Sequence, residues 1–245
     1  MAEPHNPFEA PLTQAKAVAP IAPGTLDIGV ALSQGWQAFT RNLGPWIAVV
    51  LVAGVLMFIA AITVFGIIFV VPVIGWGYIH FSLRVLDGPG EVGDLFAGFN
   101  RYWSAMGSFL LIGLLYVLML LPPMGFIFWG ALMGENWIVV LGYLVMIGWS
   151  LLVFVRFSFA PYFVVDQGMA PVEAISASWH VTAEQKLNVA IFMIIVQLIT
   201  LAGEVLFLIG IVPAMMITSG ATASAYRQLA GRGVSAAAAE EPGPR

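Results

Sequence analysis

Few residues in this chain could do chemistry inside its apolar stretches, and Glu204 is the most suggestive of them. A carboxylate in hydrocarbon is costly and often marks a proton or ion path. Gln197 lies about two helical turns earlier on a similar face, so the two side chains could form one polar track. The alternative is that Glu204 reaches water at the outer turn and that Gln197 makes a hydrogen bond between helices.

Three other polar groups have weaker patterns. Arg156 precedes Asp166 by ten residues, and we expect its side chain either to snorkel to the surface or to pair with a carboxylate inside the bundle. His180 and Glu184 have the i, i+4 spacing that can hold a metal, but no third ligand is nearby. We therefore expect no metal and no cofactor.

Motifs that would indicate catalysis are missing from the sequence. It has no Gly-rich phosphate loop with its Lys, no His-Glu-x-x-His motif and no intramembrane carboxylate pair typical of a hydrolase. It has no cysteine, which excludes thiolate metal sites and Cys nucleophiles. The sequence therefore predicts a protein that is not an enzyme.

The composition is that of a membrane protein. Hydrophobic residues make up 60% of the 245 residues, charged residues 9%, and the mean hydropathy is +0.96. A soluble domain carries about 25% charged residues. The net charge of −4 and the pI near 5.2 argue against a nucleic-acid partner. Membrane lipids are the expected partners, with another membrane protein as a further candidate.

Apolar runs predict an all-α fold of six transmembrane helices, because a span needs about 20 residues. The expected spans are 45–65, 68–86, 103–121, 137–165, 187–208 and 211–230. The first turn is expected near 66–72, with Pro72 in the first turn of the second helix, and Gly210 and Pro213 are expected to separate the last two helices. Pro122 and Pro123 end or kink the third helix. Residues 124–136 are expected to form an outer loop that dips into the interface; a continuing helix is the alternative.

A short amphipathic segment precedes each pair of spans, at 25–42, 92–102 and 171–184. In the first segment, Thr25 is the expected cap, and Ile28, Leu32, Trp36 and Phe39 share one face. We expect these segments to lie in the membrane interface, because they are short and carry large aromatics. The Pro/Ala-rich tail 1–24 and the Ala-rich tail 231–245 are expected to be disordered.

The three segments align as copies of one module, at about 25–86, 92–165 and 171–230. Each copy has a small residue directly before a large aromatic; the pairs are Gly35 and Trp36, Gly98 and Phe99, and Ser178 and Trp179. An arginine follows each aromatic, at a distance of 48 residues (Arg84), 57 residues (Arg156) and 48 residues (Arg227). Internal repeats are common in membrane folds.

The basic residues fall toward one side of this scheme. They are Lys16, Arg41, Arg84, Arg101, Arg156, Lys186, Arg227, Arg232 and Arg245. The opposite loops hold none of them, only Glu135. Because basic residues that flank spans are retained in the cytoplasm, both termini are expected to be cytoplasmic, in the inner membrane of a bacterium. Arg41 and Arg101, with Trp36, Phe99 and Trp179, are then candidate interfacial anchors.

The stretch 156–182 resembles the membrane domain that precedes the catalytic domain of some bacterial glycerophosphodiester phosphodiesterases, and related uncharacterised multi-pass families. The motif consists of Arg156, the Val-Val-Asp-Gln-Gly turn with Asp166 and Gly168, Pro171-Val-Glu173-Ala, and Ser-Trp at 178–179. The segments 94–99 and 225–227 also fit the pattern. The resemblance implies a six-helix domain without catalytic residues, since the family's activity lies in a separate domain.

These observations favour a non-enzymatic accessory module that binds lipid or another membrane protein. The alternative is a small-solute or ion transporter that uses Glu204 and Gln197 as its polar path.

Overall fold

The computed structural model describes residues 24–62 and 64–231, and this part of the chain is mostly helical and contains no strand. The tails expected at 1–24 and 231–245 lie outside the described residues, except for Gly24 and Gly231. A 3-10 segment at Val92–Phe96 accompanies the helices, which are α1 (Ile28–Arg41), α2 (Leu43–Ala61), α3 (Val64–Arg84), α4 (Ala97–Asn100), α5 (Tyr102–Met133), α6 (Asn136–Phe157), α7 (Ala160–Gln167), α8 (Pro171–Glu184), α9 (Lys186–Val205) and α10 (Phe207–Leu229).

Five helical stretches of the described chain are long and apolar enough to cross a membrane: α2, α3, α5, α6 with α7, and α9. Their apolar side chains point mostly outward; in α5, only 11% of the most apolar window is buried. Outward-facing apolar surface of this extent needs an apolar solvent, and helices satisfy every backbone group within hydrocarbon. The all-α, multi-pass membrane class predicted from composition is therefore confirmed.

Helix α10 differs from these five because protein surrounds its C-terminal half. Ala221, Ala223, Ala225, Tyr226 and Leu229 have no exposed surface. A helix that contacts other helices rather than lipid can carry small and polar residues, which is why α10 is less apolar than its neighbours.

Helix α5 continues through Pro122 and Pro123 to Met133, so the predicted outer loop at 124–136 is wrong and the alternative of a continuing helix is right. Pro123 cannot donate to the carbonyl of Met119. The indole Nε1 of Trp149 in α6 donates to that carbonyl instead, at 2.7 Å. A neighbouring helix thus satisfies the group that the proline frees, as membrane helices require. Gly134, with φ of 70°, then ends α5.

The predicted turns of the first and last hairpins are also wrong. Helix α2 ends at Ala61 and α10 begins at Phe207, so Pro72 lies inside α3, and Gly210 and Pro213 lie inside α10. Gly210 serves helix packing rather than a turn. A Cβ on Gly210 would lie 2.6 Å from the carbonyl oxygen of Gly203, so α9 and α10 touch backbone to backbone there.

The predicted fourth helix is divided in two. Helix α6 ends at Phe157, and α7 begins at Ala160 with Pro161 in its first turn, where a proline is well tolerated. The stretch predicted as one span is therefore interrupted at residues 158–159.

The amphipathic segments take three different forms. The expected helix at 171–184 is confirmed as α8, whereas 92–102 is a 3-10 segment followed by the single turn of α4. In α1, the carboxylate of Asp27 caps the helix by accepting from the Val30 N–H at 2.9 Å, so Thr25 is not the cap.

The predicted apolar face of α1 is partly buried in protein, and small residues beside it make the closest contacts. Ala31, Gly35 and Ala38 are buried, while Trp36 is exposed. The small face lets α1 run antiparallel along the C-terminal half of α10. A Cβ on Gly35 would lie 2.6 Å from the carbonyl oxygen of Ile217. Helix α1 therefore packs lengthwise on another helix and does not lie alone on a lipid surface.

Candidate functional site: a polar pocket where three helices end

The helices α3, α7 and α10 bring their C-terminal ends together. Tyr226 of α10 stacks on Tyr162 of α7, with ring centroids 5.5 Å apart, and meets the edge of Phe163 at 5.0 Å. These rings are buried and fix the end of α10 against the end of α7. The charged residues that follow on each helix are consequently held in one place.

Asp166 is the residue through which α7 joins this polar end. The Tyr226 hydroxyl donates to Oδ2 of Asp166 at 2.7 Å, and Nε2 of Gln167 donates to the Tyr226 oxygen at 3.0 Å. Gly168 ends α7 in the left-handed region with φ of 66°, a conformation that glycine adopts at little cost. The predicted tight turn after Asp166 is therefore present.

Pro171 and Glu173 begin α8. Pro171 occupies the first helical position, where its missing N–H removes no helical hydrogen bond, and Glu173 lies in the first turn. A carboxylate there is favoured by the positive end of the helix dipole. Both residues of the predicted motif thus start a helix and lie away from the polar end of α7.

Two arginines join α3 and α10 to the same polar end. Both terminal nitrogens of Arg227 bind the carboxylate of Asp87, and Nη2 also donates to the carbonyl oxygen of Leu83 at 3.1 Å. The Arg227 side chain is only 14% exposed. Arg84 donates to Oδ1 of the buried Asp94 at 2.8 Å, which ties α3 to the following 3-10 segment.

These residues surround an open pocket of about 290 Å³, which we name the polar pocket. Its walls are His80, Leu83, Arg84, Asp87, Val165, Asp166 and Arg227. Two guanidinium groups and two carboxylates therefore face one small volume. Such a lining can bind a ligand that carries both a negative and a positive charge. The Nδ1 atom of His80 is buried without a hydrogen-bond partner in the described part of the chain.

Most of this pocket was missed by sequence reasoning. No site was predicted at His80 or Asp87, and Arg227 served only to mark the repeat, the basic side and the 225–227 segment. A signal was available, because Arg84, Asp166 and Arg227 all lie near the C-terminal end of the second helix of a predicted hairpin. That signal was obscured because Arg156, rather than Asp166, was aligned with the other two arginines.

Contacts of the small residues give a different alignment. Each of the three small residues before the aromatics touches the backbone of another helix. A Cβ on Gly98 would lie 2.4 Å from the Val73 carbonyl oxygen, and Gly35 meets the carbonyl oxygen of Ile217. The Ser178 hydroxyl donates to the Arg156 carbonyl oxygen at 2.6 Å. The contacted residues precede Arg84, Arg227 and Asp166 by 11, 10 and 10 positions. Asp166 is therefore the structural counterpart of the two arginines.

Arg156 pairs with no carboxylate among the described residues and binds α8 instead; whether it also reaches the membrane surface stays a prediction. Its Nη1 donates to the Trp179 carbonyl at 2.9 Å and to the Thr182 hydroxyl at 3.2 Å. Its guanidinium lies 4.9 Å from the centroid of the Trp179 ring. Arg156 fastens α8 to α6.

Glu204 and Gln197 lie outside the polar pocket. Both side chains are exposed on the outer face of α9, and Glu204 belongs to its last turn. The two share a face, as predicted, but that face is turned away from the bundle. The expected interhelical use of Gln197 is not made within the described part of the chain.

The predicted anchors are all on the outside. Trp36, Phe99 and Trp179 are 55%, 43% and 39% exposed, and Arg41 and Arg101 are exposed beside the starts of α2 and α5. Their contact with lipid headgroups stays a prediction. His180 and Glu184 are both exposed on α8. Among the described residues, no group of three or more His, Cys, Asp or Glu could hold a metal ion.

No protein family, curated protein or solved structure matches the chain. The resemblance of 156–182 to the membrane domain of glycerophosphodiester phosphodiesterases therefore stays a prediction.

Proposed function

We propose that the chain is a six-span protein of the bacterial cytoplasmic membrane, with α10 as the sixth span and both termini in the cytoplasm. The five apolar stretches and the 23-residue α10 would alternate in direction. The described basic residues lie near the starts of α2, α5 and α9 or toward the ends of α3, α6 and α10, which places them on one side.

The contacts that Gly35, Gly98 and Ser178 make with neighbouring helices support three modules that close into a ring. In each, an amphipathic segment rests on the second helix of the preceding hairpin: 92–100 on α3, α8 on α6, and α1 on α10. The first segment thereby returns to the last hairpin. The polar pocket lies where the three second helices meet.

The function proposed for this ring is binding, and the ligand is a zwitterionic phosphate ester such as a phosphatidylethanolamine headgroup. The mixed-charge lining of the polar pocket carries this proposal. Arg84 and Arg227 offer donors to a phosphate, and arginine suits phosphate well. Asp87 and Asp166 offer acceptors to an ammonium group. A volume of about 290 Å³ is at the lower end for ligand sites and suits a headgroup.

No observation favours the transporter alternative, because Glu204 and Gln197 face outward and neither lines the polar pocket. The non-enzymatic assignment remains part of the proposal.

Binding is tested by titrating purified protein in detergent with a short-chain phosphatidylethanolamine, and separately with a short-chain phosphatidylglycerol and with free phosphoethanolamine. We expect the ethanolamine lipid to bind more tightly than the glycerol lipid. Arg84→Gln and Asp166→Asn should each weaken its binding about tenfold, which corresponds to about 1.4 kcal/mol.

Arg101→Gln is the matched control, because Arg101 is exposed and does not line the polar pocket. It should bind as the wild type does. Equal loss in Arg84→Gln and Arg101→Gln would contradict the pocket assignment. Binding of free phosphoethanolamine as tight as that of the lipid would mean that the ligand is a soluble zwitterion.

Topology is tested separately with single cysteines, since the chain has none of its own. A cysteine at Glu135 should react with an impermeant maleimide in intact cells. Cysteines at Pro89 and Ala170, which are both exposed, should react only after the membrane is opened.

A further inference from the structure

The two arginines of the polar pocket differ in how much of their hydrogen-bonding capacity is already used. Arg84 donates through Nη1 to Asp94 at 2.8 Å, and its Nη2 and Nε atoms bind no other residue in the described part of the chain. The Arg227 guanidinium binds Asp87 through both terminal nitrogens, and its Nη2 also binds the Leu83 carbonyl. Arg84 can therefore receive an anion directly, whereas Arg227 is occupied.

The two carboxylates of the pocket differ as well. Asp166 accepts from the buried Tyr226 hydroxyl at 2.7 Å, so this carboxylate also joins α7 to α10. Asp87 holds the Arg227 guanidinium, and its side chain is 52% exposed, against 14% for that of Arg227. The negative member of this ion pair therefore faces the open side of the pocket, where a ligand arrives first.

We propose that Asp87 determines which headgroups the polar pocket accepts, an inference that rests on the proposed function. A phosphate that approaches Arg227 has to displace Asp87, and the carboxylate repels it. A ligand with only negative charge then leaves Asp87 without a cation, which is the kind of unpaired charge that rejects a wrong partner. A zwitterionic ester brings an ammonium group that pairs with Asp87 while its phosphate binds the arginines, so every charge keeps a partner.

The charge of the lining supports this role. The pocket wall holds two arginines and two aspartates, so its formal charge is zero when His80 is neutral. Removal of the Asp87 carboxylate leaves one net positive charge and also releases Arg227. Removal of the Asp166 carboxylate makes the same change in charge, but it releases a tyrosine hydroxyl instead of an arginine. The two aspartates therefore form a matched pair for an experiment.

The role of Asp87 is tested by titrating purified Asp87→Asn with the same short-chain phosphatidylethanolamine and phosphatidylglycerol as the wild type. Binding of the glycerol lipid should tighten about tenfold, because the released Arg227 gives its phosphate a charged hydrogen bond. Binding of the ethanolamine lipid should stay within about threefold of the wild type, because the ammonium contact is lost but no ion pair has to be broken.

Asp166→Asn is the matched comparison. Its binding of the glycerol lipid should change by less than about threefold, because no arginine is released and a charge at the pocket surface is screened by salt. In the double variant of Asp87→Asn with Arg227→Gln, the gain for the glycerol lipid should disappear. Asp87→Glu keeps the carboxylate and should keep the wild-type preference. Unfolding midpoints are measured for each variant, and Asp87→Ser replaces Asp87→Asn if the latter does not fold.

The outcomes separate this role from the proposed function. If the wild type binds the ethanolamine lipid and Asp87→Asn gains no affinity for the glycerol lipid, the role of Asp87 is refuted and the proposed function stands. An equal gain in Asp87→Asn and Asp166→Asn also refutes it, since net charge alone then sets the preference. A gain in Asp87→Asn alone, with no ethanolamine-lipid binding by the wild type, supports the role of Asp87 and refutes the ethanolamine assignment. Absence of binding throughout refutes both.

Discussion

At the scale of single residues, Gly77 shows how closely α3 meets the 3-10 segment. A Cβ on Gly77 would lie 1.7 Å from the carbonyl oxygen of Leu95, which is a backbone atom and cannot rotate away. Gly77→Ala should therefore lower the free energy of unfolding by about 1–3 kcal/mol, as overpacking does. The check is the thermal unfolding midpoint of the purified variant in detergent.

Gly107→Ala is the matched control for this prediction. Gly107 lies in α5, and nothing is within 4 Å of the position that its Cβ would take. Alanine there should be neutral or slightly stabilising, because glycine is the poorer helix former. Equal midpoints for the two variants would show that α3 and the 3-10 segment are farther apart than described.

The Arg227–Asp87 ion pair supports a second prediction at this scale. The guanidinium is mostly buried and binds both Asp87 and the Leu83 carbonyl. Arg227→Gln should destabilise the protein by about 1–3 kcal/mol, because buried groups lose charged hydrogen bonds. Asp87→Asn should cost less when Arg227 is already glutamine than in the wild type. A double-mutant cycle of unfolding free energies measures this coupling, and additive effects would show that the pair does not contribute to stability.

At the scale of elements, hydropathy predicted the long apolar helices but not where they end. Residues 62 and 206 are ordinary apolar residues, yet turns occur there, while Pro122, Pro123 and Pro213 lie inside helices. The rule that Pro marks a turn in water-soluble proteins does not hold here, because a side chain from a neighbouring helix can bond to the backbone carbonyl that the proline leaves free. The Trp149 bond to Met119 is an example. A partner 30 residues away cannot be read from a local pattern.

The closeness of α1 to α10 was not indicated by the apolar pattern. Ala31, Gly35 and Ala38 make the closest approach, beside a predicted apolar face whose Ile28 and Leu32 are partly buried against the core. Small residues let two membrane helices approach closely, so the stripe of small residues was the more informative one.

Packing of α1 on α10 predicts a disulfide. A Cβ on Gly220 would lie 3.6 Å from the Cβ of Ala38, within the range that a disulfide spans. Since the chain is free of cysteine, Ala38→Cys with Gly220→Cys should form an intramolecular bond under mild oxidation. The bond is detected as a faster-migrating monomer on a non-reducing gel.

The control pairs Gly220→Cys with Thr40→Cys, because Thr40 is exposed on α1. This pair should remain reduced under the same conditions. Should neither pair crosslink, α1 would not follow α10 and could instead lie flat on the membrane, as the sequence had suggested.

At the scale of the whole molecule, the polar pocket was beyond sequence reasoning because it depends on contacts between distant parts of the chain. Arg227 reaches Asp87 across 140 residues. The segment 24–27 also makes contacts with distant parts of the chain: the Gln185 amide binds both the Gly24 oxygen and the Leu26 N–H, and the Gly24 N–H donates to the Leu229 oxygen at 3.2 Å. Periodicity predicts faces of helices, whereas it says nothing about which ends converge.

The proposed ring of three modules would have no obligatory first module, which leads to a prediction for a circular permutant. The permutant begins at Pro89 and ends at Gly88, and a flexible linker of about ten Gly and Ser residues joins Gly231 to Gly24. Pro89 is exposed, and the ends to be joined are adjacent, since the Gly24 N–H bonds to Leu229. In the proposed topology each hairpin still enters the membrane from the same side, so all contacts of the polar pocket can form.

The permutant should therefore unfold within a few degrees of the natural chain and bind the ethanolamine lipid with similar affinity. Differential scanning fluorimetry and the lipid titration measure the two properties. A permutant opened between Gly113 and Leu114 is the control; it divides α5 inside a membrane span and should fail to fold, because the new ends would leave backbone groups unsatisfied in hydrocarbon. If both permutants failed, the order of the modules would matter, and the chain would be a linear array in which α1 is needed before α10 can be placed.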